Sequence, residues 1–245
     1  RENADRIEAC VATHGHEDHV GGLQFLLRDA SFPVYGSAVT LGLAAGRIEE
    51  AGLLDRTELV VVADNERRKI GPFDVEFIPV THSVPHAFAI AVHTPQGVIL
   101  HSGDFKLDLT PVDGRRTDLA RLGAIASAEG IRLLLCDSTN AEEKGYSPSE
   151  TSIGSVLRSL FHEHSDRRII TASFASHIHR VQQIIDAAVA SRVAGEMRVT
   201  SLAHSIRRPH PKRLQAVPPP NQALSLRLHL ASTSVHPLEK LMSAP

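Results

Sequence analysis

Apolar runs and amphipathic stretches alternate along this chain from residue 7 to residue 190. Residues 7–13 read as a short buried strand, and 19–28 carry Val20, Leu23, Leu26 and Leu27 at helical spacing. A strand is expected over 32–35, a helix over 38–52 stopped near Gly52, and strands over 59–63 and 73–80. Residues 88–92 and 98–100 flank Thr94-Pro95-Gln96-Gly97, a hairpin turn by its Pro and Gly. Then come a helix over 117–129, a buried strand over 131–136, a helix over 149–162, a strand over 168–171 and a helix over 177–190. Alternating strands and helices point to a layered α/β fold. Beyond about residue 191 the regularity fails. Pro209, Pro211, the run Pro218-Pro219-Pro220 and Pro237 break any long element, and 224–230 alternates like a strand but alone. Residues 192–245 are expected to be poorly ordered.

With 42% apolar residues in 245, the chain has material for a core. Its two cysteines, Cys10 and Cys136, sit in apolar runs and suggest a reduced, cytoplasmic protein rather than a disulfide framework. No apolar run approaches a membrane span, and no signal peptide is visible. The net charge of −2 hides a split: seven Lys/Arg and one acid lie from Met197 onward, so the body is acidic and the tail basic. An acidic body carries no general nucleic-acid footprint, yet does not prevent a polyanion from binding at a metal site.

The candidate chemistry starts where the first strand ends. Thr13-His14-Gly15-His16-Glu17-Asp18-His19 places three histidines and an aspartate within six residues. Both residue types ligate first-row metals, and no packing rule asks for this pattern. Three later apolar runs also end in a candidate ligand: His82, Asp104 and Asp137. Strand ends gathered at one edge of a sheet bring such tips together, where sites in α/β folds commonly form. His14 and His16 can face one ion, Asp18 and His19 a second, and Asp104 has two oxygens with which to bridge. Two ions about 3.5–4 Å apart can share a hydroxide and clamp an in-line phosphoryl displacement. Histidine with carboxylate favours zinc and leaves manganese open. Asp137, before Ser-Thr-Asn, can equally cap a turn. His93 and His101 read as structural, with His101 leading toward Asp104. Ser173, Ser176, His177 and Arg180 follow a strand and open a helix, where free N–H groups can bind phosphate; simple N-capping is the competing reading.

These residues carry a resemblance. Thr-His-Gly-His-Glu-Asp-His-Val-Gly-Gly at 13–22 is similar to the signature loop of the metallo-β-lactamase fold. Thr81-His82-Ser83-Val84-Pro85, His101-Ser102-Gly103-Asp104-Phe105-Lys106, Asp137-Ser138-Thr139-Asn140 and Ser173-Phe174-Ala175-Ser176-His177 resemble the ribonuclease J family, β-CASP members of that superfamily. The resemblance runs over roughly residues 4–190. It implies an αββα sandwich lacking its N-terminal strands over 1–140, the start of a β-CASP α/β domain over 141–191, and a divergent tail over 192–245. It implies zinc-dependent hydrolysis of RNA phosphodiester bonds, exonucleolytic from the 5′ end or endonucleolytic, in RNA processing and decay. RNA is then the partner, with a homo-oligomer left open and no membrane. Carried over by position, His14, His16 and His82 would hold one zinc. Asp18 and His19 would help hold another, Asp104 would bridge, and Asp137 would support the site.

Two later histidine strings that complete the family's site are not in this sequence, nor are the strands that precede the first loop. The chain is therefore expected to be a partial one, cut at the front, with a tail consistent with a shifted reading frame. A second ion would lack one histidine. Two other readings stand beside the ribonuclease: a thioester or lactone hydrolase on the same scaffold, and a catalytically inactive fragment.

Overall fold

The three strands nearest the histidine loop are short and form one parallel sheet. In the computed structural model, which describes residues 2–174 and 176–191, β1 (Cys10–Val11), β2 (Val34–Gly36) and β3 (Leu59–Val61) lie side by side in that order. Helices α1 (Glu17–Val20), α2 (Leu23–Asp29) and α3 (Ala38–Glu50) connect them. α3 starts where Ser37 Oγ accepts the Thr40 N–H, and it turns Leu41, Ala44 and Ile48 inward at helical spacing. Those side chains meet Ala12, Leu23, Leu27 and Val34, which fills the space between the helices and the small sheet.

The second sheet has five strands in sequence order: β4 (Arg67–Ile70), β5 (Phe73–Val80), β6 (Ala87–Thr94), β7 (Gly97–His101) and β8 (Ile131–Leu135). The first four run antiparallel, and β8 lies parallel to β7 after a crossover through α4 (Leu119–Ala128). Strand alternation sorts the side chains into two cores. Val75, Phe77, Phe88 and Ile90 face the small sheet and meet Val11 and Tyr35. Ile78, Val80, Ala87, Ala89 and Ala91 face the other way and pack on Ile125 of α4. The order of layers is helices, sheet, sheet, helix: the expected αββα arrangement. Beyond it, α5 (Thr151–Glu163) and α6 (Ile178–Ala190) pack as a pair.

The long β5 and β6, the hairpin turn from β6 to β7, and helices α3, α5 and α6 agree with the periodicity of the sequence. Four expectations change, and one strand, β4, is added. The strand expected over 7–13 is paired only at Cys10–Val11. The helix over 19–28 is two helices broken at Gly21-Gly22, and it begins earlier, at Glu17. β4, Arg67–Ile70, had no apolar alternation to announce it and exists as the antiparallel partner of β5. Residues 168–171 form no strand. β8 is a strand but not a buried one. Ile131, Leu133, Leu134 and Leu135 are all exposed, because β8 is the last strand of the sheet among the described residues and has β7 on one side alone. The expectations for 192–245, including the strand-like 224–230, lie outside the described residues. No helix among the described residues is long and apolar enough to cross a membrane.

Candidate metal centre

Four polar tips leave the ends of apolar strands, as the sequence suggested, but from two sheets. β1 of the small sheet delivers the 14–19 loop, while β5, β7 and β8 of the large sheet run the same way and deliver His82, Asp104 and Asp137. Phe88 N donates to Thr13 O at 2.8 Å, which ties the loop of one sheet to β6 of the other. Gly103 makes the close approach possible. It has φ +59, and a Cβ there would lie 2.7 Å from Phe88 O and 3.1 Å from Thr13 Cβ. His101 Nδ1 accepts the Gly103 N–H at 2.9 Å and so shapes the turn into Asp104.

His14, His16, His82 and Asp104 bring one ligand atom each to within 4.8 Å of one another. His14 is fully buried, with Nδ1 beside Thr13 Oγ1 at 3.0 Å and Nε2 turned into the cluster. His16 Nδ1 lies 3.1 Å from His14 Nε2 and 3.1 Å from His82 Nε2. One ring nitrogen has either one proton or one lone pair, so it cannot satisfy both neighbours. A cation at the convergence point would satisfy all three. Burial, reinforced by the neighbouring histidines, pushes His14 down to about 2 and His82 down to about 4. Both rings are therefore neutral at physiological pH and present lone pairs. On this chemistry the donor set fits a divalent metal, and zinc in particular.

Asp104 faces two ways. Its Oδ2 is 3.7 Å from His14 Nε2 and 3.8 Å from His82 Nε2, and its Oδ1 is 3.4 Å from His19 Nε2. Asp18 stands on the His19 side, with Oδ2 3.5 Å from Nε2, and its side chain is 80% exposed. Helix α1 explains the split. His16 is its N-cap residue, so Asp18 and His19 turn away on the first helical turn while His14 and His16 stay in the extended entry.

Asp137 is outside the four-residue group. Its Oδ1 accepts the N–H and the hydroxyl of Thr139, and its Oδ2 accepts the Phe105 N–H at 3.4 Å. Burial acts to raise its carboxyl, but these hydrogen bonds outweigh it and hold the group low. It caps a turn and braces the residue after Asp104. The 173–180 segment lacks the side-chain N-cap of the competing reading. Ser173 Oγ bonds Phe174 O, and α6 begins at Ile178 without a side-chain cap. Arg180 Nη2 donates to Glu150 at 2.5 Å, and His177 Nε2 is 3.8 Å from the same carboxylate. Arg180 is thus committed to an ion pair.

Sequence reasoning missed Ser83, whose Oγ lies 3.2 Å from His16 Nε2, and Ser102, which accepts the Asp137 N–H at 2.8 Å. Both stand inside the strings that carried the resemblance, which is the signal that could have found them.

Comparison with known proteins agrees with this geometry. Residues 1–134 match the family described as the metallo-beta-lactamase superfamily. The chain is 49% identical over 187 residues to ribonuclease J of Mycobacterium tuberculosis strain H37Rv, 76% of this chain and 33% of that protein. It is 46% identical over 187 residues to ribonuclease J of Mycolicibacterium smegmatis, with 76% and 33% covered. With ribonuclease J of Thermus thermophilus it shares 44% over 194 residues, 76% and 34%. The chain spans about a third of the length of these relatives. Among solved structures, a protein of unknown function from Enterococcus faecalis V583 superimposes with a TM-score of 0.53 at 20% identity, covering 73% of this chain and 44% of that one, which shows the shared fold.

Proposed function

Because this chain belongs to the metallo-β-lactamase superfamily, we propose that it carries the metal-ligating part of a ribonuclease J-like hydrolase that cuts RNA phosphodiester bonds in the cytoplasm. The observation that carries the reading is the placement of Asp104, whose Oδ2 lies by His14 and His82 while its Oδ1 lies by His19. High identity to several ribonucleases J supports RNA as the substrate class over a thioester or lactone.

His14, His16, His82 and Asp104 Oδ2 would hold one divalent ion, zinc by donor chemistry with manganese as the alternative. Asp18, His19 and Asp104 Oδ1 would face a second. Bound ions supply Lewis acidity toward phosphoryl oxygens and acidify water. The chain's own groups do the rest. Neutral His14 and His82 keep their lone pairs inward. Asp104 would orient an attacking water through its carboxylate oxygens. Asp137 holds the Asp104 turn through Phe105 N–H. Ser173, Ser176 and His177 would contact the RNA strand, and Arg180 would join them only by leaving Glu150.

One observation favours a second, binding-only reading: Asp18 is largely exposed, so the His19 side is the less enclosed half. Purified chain incubated with zinc or manganese and 5′-monophosphorylated RNA, against a thioester and lactone panel, separates these readings. Cleavage of RNA alone, lost in Asp104→Asn, supports the ribonuclease. Thioester or lactone hydrolysis without RNA cleavage overturns it, and RNA binding without cleavage supports the binding-only reading.

A further inference from the structure

His82 and Asp104 come from different strands, so something must fix their separation. Resting on the reading of both as metal ligands, we infer that Arg115 and Thr117 are positioning residues that set the distance between the two ligand-bearing segments. Neither residue touches the ligands themselves. Both act on the backbone on either side of them.

His82 sits in the loop 81–86 between β5 and β6. The two feet of that loop, Val80 and Ala87, are paired in register. Arg115 Nη1 donates to both foot carbonyls, Val80 O at 3.0 Å and Ala87 O at 2.9 Å. The other edge of the guanidinium donates to both oxygens of Asp64, at 2.9 and 2.8 Å. The ring of Phe88 lies 5.3 Å from its centre, and the side chain is 12% exposed. A planar fork with donors on both edges can make this set of bonds; a lysine ammonium cannot. Arg115 thus pins the mouth of the His82 loop.

Thr117 works on the other dimension. Thr81 immediately precedes His82, and Lys106 follows Asp104 by two residues. Lys106 N donates to Thr81 O at 2.8 Å, forming one half of an isolated antiparallel bridge. In the reciprocal half the Thr117 hydroxyl is inserted. Its Oγ1 accepts the Thr81 N–H at 3.0 Å and donates to Lys106 O at 3.1 Å. The hydroxyl is a spacer: the two segments are held apart on that side by one oxygen atom. Thr81 Oγ1 returns a bond to Arg115 O at 3.0 Å, which locks the spacer segment to the loop it controls. Groups that hold ligands in place tune metal affinity even where they never touch the ion.

The test uses the full 245-residue chain with Thr117→Val, Thr117→Ser and Arg115→Lys, and Ile48→Ala in the remote helix-side core as a stability control. Zinc affinity is read by competition with a chromophoric chelator, coordination geometry by the absorption spectrum of the cobalt(II)-loaded protein, and stability by thermal unfolding in chelator. Thr117→Val and Arg115→Lys are expected to weaken zinc binding about 10–100-fold and to alter the cobalt spectrum. Thr117→Ser restores both, and Ile48→Ala lowers the melting temperature with the spectrum unchanged. If Thr117→Val does not fold, Arg115→Lys and Thr117→Ser still carry the comparison. Wild-type affinity and spectrum in folded Thr117→Val or Arg115→Lys overturn the inference, as does an equal loss in Ile48→Ala. Failure of the wild-type chain to bind either metal overturns the ligand reading itself, and the inference with it.

Discussion

Asp104 turns one carboxylate oxygen to His19, 3.4 Å from Nε2, while its other oxygen lies 3.7 Å from His14 Nε2 and 3.8 Å from His82 Nε2. A single short side chain is therefore placed to serve both of the proposed half-sites. Asparagine has the same shape with one acceptor oxygen and no charge. Asp104→Asn is expected to lower the zinc bound per chain and to cut RNA hydrolysis by about 100- to 1,000-fold, the range typical for loss of one electrostatic stabiliser. Elemental analysis of the purified variant beside wild type checks the first part. Equal zinc content in the two would contradict the bridging role.

The buried histidines make the metal-free protein sensitive to acid. His14 and His82 are held neutral in the fold, at about 2 and about 4, against 6.5 for the free side chain. The unfolded chain thus binds more protons than the folded one as pH falls below 6.5. Stability rises with pH across this window, and the neutral rings contribute fully above it. Each group takes away up to about 1.4 kcal/mol per pH unit between 6.5 and its folded value. Thermal melts of the chelator-treated chain from pH 7.5 to pH 5 should fall steadily, and His82→Gln should flatten that dependence. A melting temperature indifferent to pH in this range would count against the buried neutral pair.

Away from the centre, β5 carries a carboxylate into the core. Glu76 is 2% exposed and accepts from Arg121 Nε and Nη2 at 2.5 and 2.9 Å, with His93 Nε2 at 3.0 Å. His93 Nδ1 lies 2.7 Å from Glu129, so its ring sits between two carboxylates. Burial acts to raise the Glu76 carboxyl, but the Arg121 and His93 hydrogen bonds outweigh it and hold the group low. Its stabilisation is present above the ordinary carboxylate range and is lost as pH falls through the lowered value. Glu76→Ala leaves Arg121 and His93 without their buried partner and should cost about 3–5 kcal/mol by denaturant titration. Zinc affinity of the folded fraction should stay at wild type, since this cluster is not part of the metal centre.

Gly103 offers a steric test of how closely the sheets approach at the site. Alanine there meets a backbone oxygen at 2.7 Å in a left-handed conformation of φ +59. Gly103→Ala should destabilise the fold by about 1–3 kcal/mol and displace Asp104, the next residue. The expected signature is weakened zinc binding together with a lower melting temperature. An unchanged zinc affinity would show that Asp104 is held independently of its turn.

Much of this molecule was legible in the order of its residues. The 13–22 loop announces its chemistry because ligands with local spacing need no partner to be recognised. β5, β6 and their turn to β7 follow from alternation and Pro-Gly chemistry, which encode face and reversal directly. Helix α3 follows from its period and its stop at Gly52. What the tertiary structure alone decided is which faces meet. The four tips were expected along one sheet edge, and they converge from two, because strand period specifies an inward face and says nothing of the sheet it will meet. β4 has no pattern of its own and appears only when β5 offers it an edge. The apolar run at β8 was expected to be buried, yet burial depends on neighbours rather than on the strand. Local spacing does not announce the pairing of Arg180 with Glu150, thirty residues away in the chain. The clearest case is Thr117. In sequence it is the start of a helix, and in space its hydroxyl stands between the segments of His82 and Asp104, because hydrogen-bond partners that far apart in the chain are chosen by packing, not by spacing.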